Sequence, residues 1–176
     1  MTNPSKPVSI TEAAFCDLHR ELAQTRKLLE RMPTEHFSFR PHEKSMNFGR
    51  LAMHTVNLVQ WMCDTLLKDE LDMAIASPQR EEPKDQDDLL RTFDQNVIKL
   101  QEALARADDS ALMRPWTLCN GQQVLHTQPR IEILRIWCLN HLIHHRAQLC
   151  IYLRLLNLPV PTIYFNSADE PEWVFR

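Results

Sequence analysis

The sequence predicts an all-α protein built as an up-down four-helix bundle, with a small hairpin insert between helices three and four and an extended C-terminal tail. Two observations predict this fold. The eleven prolines leave four long proline-free intervals, and proline is excluded from helix interiors. Within each interval, apolar residues recur at helical spacing, as expected for helices that bury one face. The intervals are 8–32, 42–77, 84–114 and 130–158.

The first two helices have recognisable starts. Helix one is expected to begin at Ser9 or Thr11, which are good N-caps, and to end just before Pro33. Helix two is expected to begin near Ser45 or Asn47. The apolar positions of helix two form a broad stripe that should face the core: Phe48, Leu51, Ala52, Leu58, Val59, Met62 and Leu66.

Helix three follows an irregular connection. Residues 70–83 lose the apolar stripe and are expected to form a loop. Residues 84–107 open with acidic side chains, which the positive end of a helix dipole favours, so a helix is expected there. Residues 110–128 contain Asn120-Gly121, a strong signal for a two-residue turn, and we expect a small hairpin in this segment.

Helix four is expected to start next to Pro129, which suits a first helical turn. Its surface is apolar on nearly every side, which is typical of a helix that is central to a bundle or shared with a second subunit. A homodimer is therefore expected. The tail that begins with Leu158-Pro159-Val160-Pro161 cannot be helical and should run over the surface.

Bulk composition narrows the functional classes. The 176 residues suit one domain, spanning 1–176, and the formal net charge of −3 argues against a nucleic-acid partner that relies on a basic surface. The sequence has no apolar run of about 18 residues that would span a membrane. Five scattered cysteines without a Cys-x-x-Cys pair indicate reduced thiols, so a cytoplasmic location is expected.

Three of the eight histidines lie within five residues of helix four, at His141, His144 and His145. Residues four apart lie on the same face of a helix, so His141 and His145 can direct two imidazoles to one point. Both also continue an inward-facing line of residues, whereas His144 is rotated away from it by about 100°. His141 with His144, three apart, remains an alternative pair. Two imidazoles leave a divalent metal ion incompletely coordinated, so a third ligand is needed.

His54 is the candidate for that third ligand, because it lies within the apolar stripe of helix two. A buried imidazole needs a partner, and one shared metal ion would satisfy all three histidines. Three imidazoles would leave one coordination position open, as in catalytic rather than structural zinc sites. Cys138 lies on the same line of helix four, although a buried cysteine more often fills space. The other histidines are expected at exposed positions: His19, His36, His42 and His126.

Three segments resemble the DinB/YfiT-like superfamily of metal-binding four-helix proteins, in particular its DinB branch. Residues 48–54 (FGRLAMH) resemble the motif that ends in the first histidine ligand of that family. Residues 141–149 (HLIHHRAQL) resemble its His-x-x-x-His-Arg-Gly-Gln motif, with Ala147 where the family usually has glycine. Residues 158–170 resemble its C-terminal tail. The likeness extends over most of the chain.

The resemblance implies a DinB-like fold and a metal site formed by His54, His141 and His145. It also implies that Arg146 and Gln148 support the ligands or an interface, although solvation at the surface is an equal alternative for Arg146. Superfamily members include S-transferases that use low-molecular-weight bacterial thiols. The expected cofactor is a divalent metal ion, with zinc or nickel preferred, since histidine-rich sites accept several metals.

Two functions follow from this site. The first is a metal-dependent enzyme, either a thiol S-transferase or a hydrolase, with a low-molecular-weight thiol as a partner. No carboxylate is clearly placed as a general base; Glu43 is the nearest candidate, and Asn57 lies one turn after His54. The alternative is a non-catalytic, metal-binding helical homodimer with a stress-related role. A third hypothesis, direct contact with DNA, is disfavoured by the acidic charge balance.

Overall fold

The described part of the chain is mostly helical and carries a small sheet. In a computed structural model of the protein, residues 8–76 and 82–170 are described. In chain order, the elements are α1 (Ile10–Ala14), α2 (Leu18–Leu29), a 3-10 turn (Thr34–His36), α3 (Phe48–Leu67), β1 (Glu70–Asp72), α4 (Gln86–Arg106), α5 (Asp109–Met113), β2 (Pro115–Asn120), β3 (Gln123–Pro129), α6 (Arg130–Glu132), a π-helical segment (Ile133–Asn140) and α7 (His141–Leu155).

Four long helices enclose the core. Helix α3 packs against α4 and α7, and α2 packs against the same two helices. Their facing sides bury aliphatic and aromatic side chains, including Leu22, Leu29, Phe48, Met53, Leu58, Phe93, Leu100, Leu142 and Leu149. The mostly helical prediction is confirmed. A strict four-helix bundle describes the chain only in part, because α1, α5 and a three-stranded sheet accompany the long helices in the described residues.

The N-terminal helix is divided, whereas the sequence predicted one helix up to Pro33. Helix α1 begins with a capping box between Ser9 and Glu12 and ends at Ala14. The carboxylate of Asp109 accepts hydrogen bonds from the amides of Ile10 and Thr11, at 3.0 and 3.2 Å. This contact attaches α1 to α5 rather than to α2. Because the contact is long-range, local periodicity gives no signal for it.

The sheet confirms the expected hairpin and adds one strand. Strands β2 and β3 pair antiparallel, and Gly121 in their turn has a φ of 59°, which favours glycine. Strand β1 pairs parallel with β2, with Glu70 opposite Thr117. The prediction that residues 70–72 belong to a loop is therefore wrong, because a strand of three residues is too short to show a period of two. Residues 77–81 of the expected loop lie outside the described residues.

The last helix is continuous but changes its geometry. The α-helical turn α6 passes into the π-helical segment, which leads directly into α7 at His141. Such π-helical segments occur frequently at functional sites, and an apolar pattern does not distinguish them from α-helix. The helix is also less enclosed than its composition suggested, since four large apolar side chains are exposed: Ile136, Trp137, Ile151 and Leu155.

The tail packs back onto the helices without regular structure. Asp169 accepts a hydrogen bond from the amide of Val160 at 2.9 Å and pairs with Arg154. Glu170 accepts from the amide of Thr162 at 2.9 Å and pairs with Lys27 of α2. The extended tail thus connects α7 to α2. None of the described helices combines the length and the apolar character that crossing a membrane requires.

Candidate metal centre

Three histidines from two helices converge at one point. His54 of α3 and His141 and His145 of α7 each offer one ring nitrogen, and these nitrogens all lie within 4.8 Å of one another. The ring centroid of His54 lies 5.2 Å from that of His141 and 4.7 Å from that of His145. The set is the one that the sequence selected, and among the described residues it includes neither a carboxylate nor a cysteine.

A tight helix start fixes the position of His54. The side chain of Asn47 caps α3 by accepting a hydrogen bond from the amide of Arg50 at 2.8 Å. The amide of Gly49 donates to the carbonyl of Phe37 at 2.9 Å, and a Cβ atom on Gly49 would lie only 2.9 Å from the Cβ of Phe37. Glycine therefore permits the close approach that anchors the first turn of α3. His54 follows within the next turns of the same helix.

The hydrogen bonds of the two α7 histidines favour one tautomer for each ring. The Nδ1 atom of His141 lies 3.3 Å from the carbonyl oxygen of Trp137, which can only accept, so Nδ1 carries the proton. The Nδ1 atom of His145 lies 2.7 Å from Oε1 of Gln148 and is likewise the donor. Each imidazole, when neutral, then has a lone pair on Nε2.

These two lone pairs face one another. The Nε2 atoms of His141 and His145 are 2.8 Å apart, which is a hydrogen-bonding distance. Two acceptors at this distance need a cation between them, which is either a proton or a metal ion. The donor set therefore fits a divalent ion bound through Nε2 atoms, with each Nδ1–H held by a neighbouring oxygen, as is usual for histidine ligands.

The surroundings keep the three imidazoles neutral. Burial lowers the pKa of His54 to about 4, and the charges of His145, His141 and Arg50 act in the same direction. Burial also lowers the pKa of His141, against the hydrogen bond to Trp137, and of His145, against the hydrogen bond to Gln148. A metal ion binds neutral imidazole, so the site requires little deprotonation at neutral pH.

His144 and Cys138 do not join the cluster. His144 is exposed, and its Nε2 accepts a hydrogen bond from the side-chain amide of Gln148 at 3.0 Å. Cys138 is fully buried on the expected line, where burial raises the pKa of its thiol and disfavours the thiolate that a metal would need. We therefore interpret Cys138 as a packing residue rather than as an additional ligand.

The remaining histidines lie away from this site. His19 and His42 are exposed as expected, whereas His36 is half-buried. His126 is also half-buried, and its ring packs edge-on against that of Trp137 at a centroid distance of 5.2 Å. The expectation that all four are exposed was therefore wrong for His36 and His126. The tertiary contact of β3 with the π-helical segment explains the burial of His126.

Arg146 is buried beside the clustered histidines, so the alternative of surface solvation is wrong. Only 2% of Arg146 is exposed, and its Nη2 lies 2.6 Å from Oε2 of Glu21 on α2. Nη1 donates to the Glu21 carbonyl at 2.9 Å, and the hydroxyl of Tyr164 in the tail lies 2.7 Å from Nη2. This network attaches the His145 turn to α2 and to the tail. Sequence reasoning missed Glu21 and Tyr164, because no local pattern marks their long-range contact.

In the part of the chain that the structure describes, two clefts open beside the histidines. One of about 730 Å³ is lined by His54 and Asn57, by Trp61 and Leu118, and by the Asp64–Lys68 ion pair. The other, of about 450 Å³, is lined by His145, Gln148, Lys44 and Tyr152. The cluster is therefore accessible from two sides. Glu43 lines neither cleft and is exposed, so its expected role as a general base has no support in the described residues.

Comparison with known proteins agrees with the predicted fold. The sequence model of the DinB family matches residues 11–173, which is most of the chain. No curated protein matches.

Solved structures share the fold at low identity. A DinB-like protein from Bacillus cereus ATCC 10987 is 23% identical, with a TM-score of 0.71 over 89% of this chain and 99% of that one. A DinB family member from Exiguobacterium sibiricum 255-15 is 22% identical, with a TM-score of 0.62 over 86% and 95%. The mycothiol-dependent maleylpyruvate isomerase is 14% identical, with a TM-score of 0.53 over 92% and 68%. At these identities the likeness concerns the fold.

Proposed function

Because this chain belongs to the DinB family and brings three histidines together, we propose that His54, His141 and His145 bind a divalent metal ion and that the protein is a metal-dependent thiol S-transferase. The observation that carries the proposal is the pair of facing Nε2 lone pairs on His141 and His145. Zinc and nickel are the preferred ions, because both accept imidazole ligands.

The chain's own residues favour thiol transfer over hydrolysis. Many metal-dependent hydrolases add a carboxylate that assists the metal-bound water, and among the described residues the histidine cluster includes no carboxylate. The pKa of a free thiol lies near 8.5, and a bound divalent ion would lower that pKa. The thiolate formed in this way is the nucleophile that a transferase needs. Asp64, a carboxylate that lines the larger cleft, is paired with Lys68 at 3.1 Å.

The two clefts suit a reaction with two substrates. The cleft beside His145 has Lys44 and Gln148 to bind a polar molecule, such as a low-molecular-weight thiol. The larger cleft beside His54 has apolar walls and side-chain amides for an electrophilic partner. The fold shared with an isomerase whose name specifies mycothiol supports a thiol as one of the two substrates.

Metal analysis tests the binding step. Wild-type protein, the His141→Ala/His145→Ala double variant and the His144→Ala control are purified in parallel, and their metal content is measured by mass spectrometry. Wild type and His144→Ala are expected to hold about one equivalent, and the double variant almost none. Equal metal content in wild type and the double variant contradicts the proposed site.

Turnover tests the catalytic step. Cysteine, glutathione, coenzyme A and mycothiol are each offered with a fluorogenic chlorinated electrophile, and product is followed with metal-loaded and chelated protein. We expect metal-dependent transfer with at least one thiol, and loss of transfer in the double variant. Metal binding without turnover on this panel favours the second candidate.

That candidate is a non-catalytic, metal-binding homodimer with a stress-related role. The exposed apolar side chains of the last helix favour it: Ile136, Trp137, Ile151 and Leu155. Light scattering at micromolar concentration is expected to give the mass of a dimer, and Ile151→Lys to give a monomer. Dissociation or unfolding on chelation supports this structural role, whereas metal loss without either supports the enzyme.

A further inference from the structure

The cleft beside His145 has an unbalanced positive charge. Among the described residues that line it, Lys44 has the one permanently charged side chain, and none is acidic. No described carboxylate pairs with the Lys44 ammonium group. The larger cleft differs, because Asp64 lines it and pairs with Lys68. A negatively charged substrate is therefore attracted more strongly to the cleft beside His145.

The hydrogen-bonding groups of this cleft point to the same kind of ligand. The amide of Gln148 is held by the neighbouring histidines, and the hydroxyl of Tyr152 donates to the carbonyl of Met46 at 3.1 Å. The ammonium of Lys44 and the hydroxyl of Ser45 have no such partner among the described residues. An ammonium only donates and a hydroxyl can donate, so the two groups together suit a negatively charged acceptor.

The loop that carries Lys44 and Ser45 has a fixed backbone. The amide of Lys44 donates to Nδ1 of His42 at 3.1 Å, and the amide of Ser45 donates to the carbonyl of His42 at 2.9 Å. The amide of Phe48 donates to the carbonyl of Phe39 at 2.8 Å, which closes the loop. These bonds keep Lys44 on the cleft wall, and its exposed, flexible side chain can bring the ammonium to a bound anion.

The rest of the cleft suits a short apolar chain. Its aliphatic and thioether side chains give an apolar wall: Met46, Leu51 and Ile151. Two carboxylates near this loop do not line the cleft. Glu43 is exposed, and Glu82 accepts a hydrogen bond from the side-chain amide of Asn47 at 2.7 Å. Neither neutralises Lys44 within the cleft.

We propose that the cleft beside His145 binds a thiol that carries a carboxylate. The carboxylate lies at Lys44 and Ser45, the apolar chain runs along the wall, and the thiol faces the histidine cluster. One ammonium group balances one negative charge, which favours a carboxylate over a phosphate monoester with its nearly two charges. This inference rests on the proposed function, because it specifies the class of thiol that the transferase uses.

Matched acid and amide probes test the charge requirement. Mercaptoacetate, 3-mercaptopropionate and 4-mercaptobutyrate are each compared with the corresponding amide, which keeps the shape and removes the charge. Binding is followed through the backbone amide resonances of Ser45 and Gln148. The acids and amides also differ in thiol pKa, so the informative quantity is the acid-to-amide affinity ratio of wild type relative to that of Lys44→Gln.

We expect this ratio to fall about two- to fivefold in Lys44→Gln for at least one chain length, which is the range for an exposed ion pair. It should fall further in Lys44→Glu, and the effect should shrink as salt is added. Lys99→Gln is the matched control, because Lys99 is exposed on α4 and lines neither cleft. It should keep the wild-type ratio.

Three results would overturn the proposal. They are an unchanged ratio in Lys44→Gln for all three chain lengths, an equal fall in Lys99→Gln, and no saturable shift with any of the acids. Because Lys44 is exposed, its substitutions are expected to leave the fold intact, which circular dichroism checks.

The same titrations on metal-free and zinc-loaded protein separate this proposal from the transferase. A ratio that depends on Lys44 in metal-free protein, together with no metal binding or no turnover, contradicts the transferase and supports the carboxylate site. Metal-dependent turnover with a ratio that Lys44→Gln does not change supports the transferase and overturns the carboxylate site.

Discussion

Oε1 of Gln148 lies 2.7 Å from Nδ1 of His145, one helical turn away on α7. This contact holds the Nδ1 proton and directs the Nε2 lone pair of His145 towards Nε2 of His141. The same amide donates to His144, which fixes its orientation. Gln148 therefore determines which nitrogen of His145 is available to a metal ion.

The Gln148→Leu variant is expected to bind metal about 10- to 100-fold more weakly, the usual effect of losing the hydrogen-bond partner of a histidine ligand. Leucine keeps most of the side-chain volume but leaves His145 free to adopt the other tautomer. Competition with a chromophoric chelator measures the affinity. Gln60→Leu, in the larger cleft and bonded to Asp64, is the control and should bind as wild type does. Unchanged affinity in Gln148→Leu would contradict this role.

The depressed pKa of His54 predicts how stability depends on pH. The folded group titrates near 4, below its ordinary 6.5, because of burial and the charges of His145, His141 and Arg50. Between these values the unfolded chain binds a proton that the folded chain does not. The unfolding free energy of the metal-free protein therefore falls as pH drops from about 6.5 to about 4 and gains nothing from this group above 6.5.

Urea denaturation of metal-free protein between pH 7.5 and 4.5 measures this dependence. The carboxylates titrate over part of the same range, so the difference between wild type and His54→Asn is the informative quantity. We expect wild type to lose more stability than His54→Asn as the pH falls. Parallel curves for the two proteins would show that His54 is not desolvated as described.

The sequence predicts well which three histidines lie together, because the signals that place them are local. An i, i+4 spacing fixes two histidines on one face, and the apolar stripe of α3 places His54 towards the same core. Proline positions likewise predict the long helices. Three features were not predicted: strand β1, the break after Ala14 and the π-helical segment. The strand and the break depend on tertiary contacts, and a three-residue strand is too short to show a period. An apolar run does not distinguish a π-helical segment from an α-helix.

The residues that hold the histidine cluster in place come from distant parts of the sequence. Arg146 is adjacent to His145 in the sequence, but its partners are Glu21, 125 residues away, and Tyr164 in the tail. The burial of Trp116 and of the His126 nitrogen likewise follows from how the hairpin packs on α3 and on the last helix. The spacing of residues along the sequence gives no signal for these long-range contacts.

Removal of Arg146 is expected to destabilise the protein strongly. Glu21 is only 4% exposed, and the Arg146→Ala variant leaves its carboxylate buried without a countercharge. Breaking one partner of a buried ion pair costs about 3–5 kcal/mol of unfolding free energy. The control is Arg154→Ala, which breaks an exposed pair with Asp169 and should cost about 1 kcal/mol or less. Denaturant titration measures both.

A double variant separates the lost countercharge from the lost packing. Replacing both partners, as in Glu21→Leu/Arg146→Met, leaves no isolated charge and is expected to recover much of the stability that Arg146→Ala loses. The Tyr164 hydroxyl, which also donates to Glu21 at 2.8 Å, loses its acceptor in this variant. A double variant as unstable as Arg146→Ala would show that the arginine acts mainly through packing.

Because Gly49 lies close to Phe37, we predict that alanine at position 49 lowers the unfolding free energy. Helix propensity alone would predict an increase. Alanine normally stabilises a helix interior relative to glycine by about 1 kcal/mol. At Gly49 the added methyl group would lie 2.9 Å from the Phe37 Cβ and 3.1 Å from its Cγ, so the first turn of α3 must shift. The Gly49→Ala variant is expected to lose about 1–3 kcal/mol, as is typical of overpacking.

Thermal and denaturant unfolding measure this loss, and metal affinity measures whether the shift reaches His54. The matched comparison is Gly49→Ala in a Phe37→Ala background. That background lacks the phenyl ring, whose Cγ the added methyl group would crowd. Because the backbone hydrogen bond from Gly49 to Phe37 does not depend on the ring, it remains available. We expect the added methyl to cost less there than in wild type. An equal cost in both backgrounds would place the strain at the Cβ atom of residue 37, which alanine retains, rather than in the ring.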